Sequence, residues 1–167
     1  MIAVIGNLAT GKSTVCRLLN AELENFAYLS IDQFREIHNA STQRGESNAW
    51  QALKIAAYQN DNVIFESSGS SKNYKGIIDL FKSKGGRVVV FKLHCSIHES
   101  LIRRRNQIKA GYKPPPYAYQ SNMVTTITRI YPILEQIYSD YSFDTSVENP
   151  ECIVKSIVLK FAPKKTS

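Results

Sequence analysis

Gly6-Asn7-Leu8-Ala9-Thr10-Gly11-Lys12-Ser13 has glycine at its first and sixth positions and ends on a lysine and a hydroxyl residue. Small residues at such places let backbone N–H groups converge on one point at a helix start, while the lysine adds a compact positive charge and the hydroxyl can ligate a hard cation. Those are the requirements for cradling a nucleoside triphosphate with magnesium. Gly6, Asn7, Leu8, Ala9, Thr10, Gly11, Lys12, Ser13 and the following Thr14 are therefore the candidate nucleotide-binding residues. Lys12 would reach the β- and γ-phosphates and Ser13 the metal. An apolar run, Ile2-Ala3-Val4-Ile5, precedes the loop, and Val15, Leu18 and Leu19 recur behind it at helical spacing. Strand, loop and helix thus stand in the order this chemistry needs.

Further residues that could do chemistry cluster after apolar runs. Asp32 and Arg35, three residues apart at a helix start, could take or orient a hydroxyl proton and grip an acceptor phosphate. Their plainer reading is a helix cap, by Ser30 or Asp32, and a solvated arginine. Glu66 ends Val63-Ile64-Phe65 and is a candidate for the magnesium shell, or only a polar strand end. Arg103, Arg104 and Arg105 lie on a helix starting near Ser96, where Ile97, Leu101 and Ile108 form a 3.6-period stripe. By that phase Arg104, and less so Arg105, points inward and Arg103 outward. Inward arginines could neutralise charge on a γ-phosphoryl group; the alternative is a basic, solvated helix end. The segment Gly111-Tyr112-Lys113-Pro114-Pro115-Pro116-Tyr117-Ala118-Tyr119 reads as an ordered lid loop, with base stacking on its tyrosines or a proline-motif ligand as rivals.

The elements that must position these residues alternate. Strands are expected at 2–5, 26–31, 62–65, 87–94 and 141–144, with helices after the first loop and over 46–59, 74–84 and 127–138, the last with Pro132 as a kink. A polar stretch at 39–45 reads as a mobile loop. This is the pattern of an α/β domain with a doubly wound, five-stranded parallel sheet, whose ligands sit beyond the carboxyl ends of the strands. The 167 residues, 43% hydrophobic and 21% charged, suit a single domain with a basic tail frayed over about 161–167. A net charge of +7 favours an anionic partner without choosing between nucleic acid and a small phosphorylated ligand. Lys155, Lys160, Lys164 and Lys165 place part of that excess toward the tail. Cys16, Cys95 and Cys152, odd in number and widely spaced, argue for buried small hydrophobes rather than a disulfide framework or a zinc site. A strand beginning at residue 1 or 2 leaves no room for a signal peptide, and no apolar stretch approaches the roughly 20 residues of a membrane span, so a cytoplasmic location is expected.

With these motifs in order, the chain resembles the polynucleotide-kinase-like branch of the P-loop kinases over about residues 1–160. The resemblance implies an ATP- and magnesium-dependent phosphotransferase of P-loop kinase fold. Its acceptor would be a hydroxyl, foremost on a DNA or RNA end, with a small-molecule kinase for a nucleoside, nucleotide or sugar as the alternative, and an NTP-hydrolysing switch after that. It implies that Lys12 and Ser13 bind phosphate and magnesium, that Asp32 and Arg35 are general base and acceptor grip, and that the arginines at 103–105 belong to a lid. It further implies that the turn Asp144-Thr145-Ser146 lies near the nucleobase. Family spacing from Cys95 favours Arg103 as the first lid arginine, whereas helical phase favours Arg104. Ala9 stands where the family often has another glycine. The loop also resembles that of deoxynucleoside kinases, which place a glutamate after strand two where this chain has Asp32. Gluconate-kinase-like and zeta-toxin-like enzymes share the scaffold.

Overall fold

The computed structural model describes residues 1–118 and 122–162. Strands β1 (Ile2–Gly6), β2 (Ala27–Ser30), β3 (Val63–Ser67), β4 (Val89–His94) and β5 (Tyr141–Asp144) form a parallel sheet in the order β2-β3-β1-β4-β5. Helices α1 (Lys12–Glu22), α2 (Ile31–Ile37), α3 (Gln43–Gln59), α4 (Lys72–Ser83), α5 (Ile97–Lys109), α6 (Met123–Gln136) and α7 (Pro150–Phe161) join and flank the strands. Side chains alternate across β1. Ala3 and Ile5 enter a core that includes Leu53 of α3, Ile77 of α4 and Leu134 of α6, while Ile2 and Val4 enter another with Leu19 of α1 and Ile157 of α7. Both faces are covered, which is why β1 reads as a continuous apolar run instead of an alternating one.

Several expected boundaries move. The stretch at 39–45 is not a long loop: α3 begins at Gln43, and Ala40 is fully buried. A Cβ on Gly45 would lie 2.5 Å from the Asn39 carbonyl oxygen, so only glycine lets the first turn of α3 press against the α2–α3 connection. Helix α6 starts at Met123, four residues before the expected 127, because the Asn122 side chain caps it by accepting from the Thr125 N–H; Pro132 sits inside it. Lys155 and Lys160 belong to α7 rather than to a frayed tail, since Ile153, Val154 and Ile157 dock that helix into the core. Tyr119 and the last five positions of the expected tail, Lys164 and Lys165 among them, lie outside the described residues. Cys16 and Cys95 are buried, but Cys152 is exposed on α7. Among the described residues, no helix is long and apolar enough to cross a membrane.

Candidate active site

The phosphate-binding loop leaves the carboxyl end of β1, between β3 and β4. A Cβ on Gly6 would run into the Leu93 carbonyl oxygen and come within 2.7 Å of Thr10 Oγ1, so the strand can turn there only without a side chain. Ala9 takes the left-handed conformation, φ 57°, at the position where a further glycine is frequent in the family the sequence resembles. Gly11 caps α1 with no side-chain hydrogen bond, so no side chain covers the helix start, although the Thr14 N–H donates to the Gly11 carbonyl at 3.1 Å. The loop is braced from inside: Thr10 Oγ1 and Lys12 Nζ donate to the Asn7 carbonyl at 2.9 and 2.6 Å. The Asn7 side-chain amide donates to the Ile127 carbonyl of α6 at 2.8 Å, and the Ser100 hydroxyl of α5 donates to the Leu8 carbonyl. Burial pushes the Lys12 amine below the ordinary lysine value, against the pull of Glu66 and Asp32, and Arg104 pushes it further the same way. Lys12 is therefore the point where the fields of three other candidate residues meet.

The first of those is Glu66. Parallel pairing of β1 with β3 sets Val4 opposite Glu66, which brings the carboxylate beside the loop although it is only 6% exposed. Ser13 Oγ donates to Glu66 Oε1 at 2.6 Å, and the Tyr28 hydroxyl of β2 donates to Oε2. Burial, reinforced by the Glu66 charge, pushes the Tyr28 phenol far above its usual value, so Tyr28 acts only as a donor. Ser13 and Glu66, predicted together as a metal pair, are brought together. A serine whose proton goes to a carboxylate keeps its lone pairs for a hard cation, so the donor set fits magnesium. Tyr28 was not foreseen, because nothing in its spacing points at Glu66.

Asp32 and Arg35 lie on α2, a short helix whose start is fixed by a capping box between Ser30 and Gln33. Arg35 NH1 donates to Asp32 Oδ1 at 2.9 Å. Its Nε and NH2 donate to Glu46 Oε2 and Oε1 at 2.9 and 2.8 Å, a fork-on-fork pair, and Trp50 Nε1 donates to Glu46 Oε1 at 2.8 Å. The Tyr117 ring stacks on the guanidinium at 4.3 Å. Arg35 is therefore neither a solvated arginine nor an open phosphate fork, since the Nε–NH2 edge that would hold a phosphate in bidentate fashion holds Glu46. The sequence did carry a signal for Glu46: it stands on the stripe of Ala49, Trp50, Leu53, Ala56 and Ala57, where a carboxylate needs a buried partner.

The lid arginines separate. Arg103 is not outward: Nε donates to Glu99 Oε1 at 2.8 Å, NH1 to Thr145 Oγ1 at 2.9 Å and NH2 to the Thr145 carbonyl at 2.8 Å. Arg104 lies over the Tyr112 ring at 4.3 Å and faces Lys12 closely enough to lower its pKa. Arg105 is exposed. The supposed apolar stripe is not the inner face of α5, for Ile108 is 51% exposed whereas Ser100 is buried. Thr145 also donates to the His94 carbonyl, and Asp144 is held below the usual carboxylate range by hydrogen bonds from Ser146. The turn after β5 is thus tied to α5 and to the end of β4.

No protein-family model matches this chain, and no curated protein does. Solved structures do resemble it. A protein from Chloroflexus aurantiacus assigned as a kinase is 19% identical, with 95% of this chain and 96% of that one covered at a TM-score of 0.71. Shikimate kinase from Acinetobacter baumannii, solved with shikimate, is 16% identical over 99% and 94% at 0.66. A chain of the Pnkp1/Rnl/Hen1 RNA repair complex is 15% identical over 83% of this chain but 46% of its own length, at 0.64. At such identities the likeness establishes the fold, and that fold is the P-loop kinase fold.

Proposed function

We propose that this protein is an ATP- and magnesium-dependent kinase, a single domain that transfers the γ-phosphoryl group to a hydroxyl of a small polar acceptor. The observation that carries the reading is that the phosphate loop, the Ser13–Glu66 pair and the Asp32–Arg35 pair lie at the carboxyl ends of the neighbouring strands β1, β3 and β2. A nucleotide switch needs the loop and the metal residues; it has no use for a carboxylate braced by an arginine on the opposite side of the phosphate mouth. Magnesium held by Ser13, with Glu66 behind it, would offset charge on the β- and γ-phosphates.

The acceptor oxygen bonds to the γ-phosphorus while the bond from that phosphorus to the β–γ bridging oxygen breaks. ADP leaves with that electron pair, and the hydroxyl proton passes to Asp32 and on to solvent. Asp32 Oδ1 is held by Arg35, so Oδ2 is the oxygen that takes the proton. In this reading Arg104 would meet the migrating phosphoryl group, and the turn at Asp144 and Thr145 would meet the base. A pocket of about 560 Å³ is lined by Glu46 and Tyr117, both of which contact Arg35, a volume suited to a small molecule. The shikimate kinase neighbour likewise has a small hydroxylated acceptor in its complex.

A DNA or RNA hydroxyl end is the second reading, supported by the net charge of +7. γ-Labelled ATP with magnesium and a panel of sugars, nucleosides and 5′-hydroxyl oligonucleotides decides between them. Label on an oligonucleotide, with an apparent affinity that falls with salt, selects the nucleic-acid end; label only in inorganic phosphate refutes the kinase. Asp32→Asn keeps the size but not the base, and should lower kcat by about 10²-fold or more with acceptor KM little changed.

A further inference from the structure

The pocket beside Arg35 has a composition that narrows the acceptor further. Its floor is Glu46, with Ser47, Gln51 and Lys54 on the same side of α3 and Asn73 at the start of α4 opposite. Trp50 and Tyr117 add two flat aromatic faces. Amides and hydroxyls supply donors and acceptors in the same small space. The charges on the lining cancel, since Glu46 and Lys54 are of opposite sign. Glu46 already receives three hydrogen bonds from Arg35 and Trp50.

A phosphate or carboxylate entering this pocket would meet the Glu46 carboxylate as well as the Lys54 ammonium, and so gains no net attraction. It would also find the bidentate edge of Arg35 already taken. A neutral molecule rich in hydroxyls meets neither obstacle. Vicinal hydroxyls match side-chain amides and a carboxylate that still has a free lone pair on Oε2, and the C–H faces of such a molecule suit aromatic rings. We infer that the pocket between α3, the start of α4 and Tyr117 binds an uncharged polyol, a sugar, alditol or cyclitol without phosphate, one of whose hydroxyls is the acceptor. The inference rests on the kinase reading for the fate of that hydroxyl, while the binding itself does not depend on it.

The test uses the full chain with ADP and magnesium. Calorimetric titration is run with pentoses, hexoses, their alditols and inositol, each beside its monophosphate, and transfer from labelled ATP is measured for the same set. The expected result is that one or more uncharged members bind and are phosphorylated, with their monophosphates bound at least tenfold more weakly. Gln51→Ala and Asn73→Ala alter exposed side chains, so both variants should fold. Each should raise acceptor KM by roughly 2- to 10-fold, the loss of one neutral hydrogen bond, with ATP KM unchanged. Binding without transfer would uphold the pocket and refute the kinase. Transfer to an oligonucleotide, with no polyol bound, would keep the kinase and overturn the pocket, as would preferred binding of the monophosphates or an acceptor KM indifferent to both variants.

Discussion

Replacing Glu46 with glutamine isolates the Arg35–Glu46 pair. The amide oxygen can still accept from Arg35 NH2 and Trp50 Nε1, which both meet Glu46 Oε1, but the new amide NH2 group faces the Arg35 Nε–H, donor against donor. One charge-assisted hydrogen bond is lost, about 1.5–3 kcal/mol. The side chains are only 15% and 9% exposed, so solvent screening removes little of that. For a chain of this length each kcal/mol moves Tm by roughly 2–4 °C, so Glu46→Gln should melt about 3–12 °C lower than the parent. Asp32→Asn breaks the other arm of the same arginine, but Asp32 is 50% exposed, and an ion pair so solvated contributes about 0–1 kcal/mol. Its Tm should fall by less than about 4 °C. Calorimetric unfolding of both variants gives the ranking. There is a functional readout as well. Glu46→Gln removes the negative charge that offsets Arg35 and leaves its Nε–H without a partner, so the ratio of kcat/KM for a phosphorylated polyol to that for its uncharged parent should rise roughly tenfold, the worth of about 1.5 kcal/mol. Equal melting shifts for the two variants, or an unchanged acceptor ratio in folded Glu46→Gln, would refute the reasoning that Glu46 holds Arg35 away from anions.

The remaining predictions concern the donor side. Tyr28→Phe removes the donor to Glu66 Oε2 and leaves the bond from Ser13; in a magnesium titration at saturating ATP the half-activating concentration should rise about tenfold with acceptor KM unmoved, and an unchanged curve would deny Tyr28 a positioning role. Arg104→Ala should lower kcat by roughly 10²-fold or more, whereas Arg103→Ala, which unties the turn at Thr145, should act on ATP KM, and the reverse pattern would exchange the two assignments. Because Arg104 pushes the Lys12 amine down, Arg104→Ala should also raise the Lys12 pKa, as measured by NMR titration of the lysine side chain; no upward movement would place Arg104 out of reach of the phosphates.

Local spacing was enough to read the loop and to set Asp32, Arg35 and Glu66 near strand ends: Glu66 lies in the last two residues of β3, and Asp32 and Arg35 on the helix that follows β2. The α3 start was misread for a physical reason: the polar run at 39–45 looks like a loop until Gly45 is seen to allow a backbone approach that no side chain would tolerate. The same approach brings Glu46, 11 positions on from Arg35, into a pair that sequence separation conceals. A carboxylate on an apolar stripe was the only trace of it.

The lid shows where periodicity stops being informative. Hydrophobic phase reports the inner face of a helix when that face is buried against an apolar core. Helix α5 instead turns Ser100 to the phosphate loop and Arg103 to the β5 turn, so its inner face is polar and its isoleucines lie at the margins, with Ile102 and Ile108 exposed. Phase put Arg104 on the inward side, where its charge reaches Lys12, while family spacing picked out Arg103, which the Thr145 contacts hold at the turn. Each pointer found a different arginine because each reported a different constraint: phase reports a direction around the helix, and spacing reports a distance from the end of β4. Consecutive arginines, about 100° apart around the axis, let one short segment send one guanidinium toward Lys12 and the other to the turn after β5.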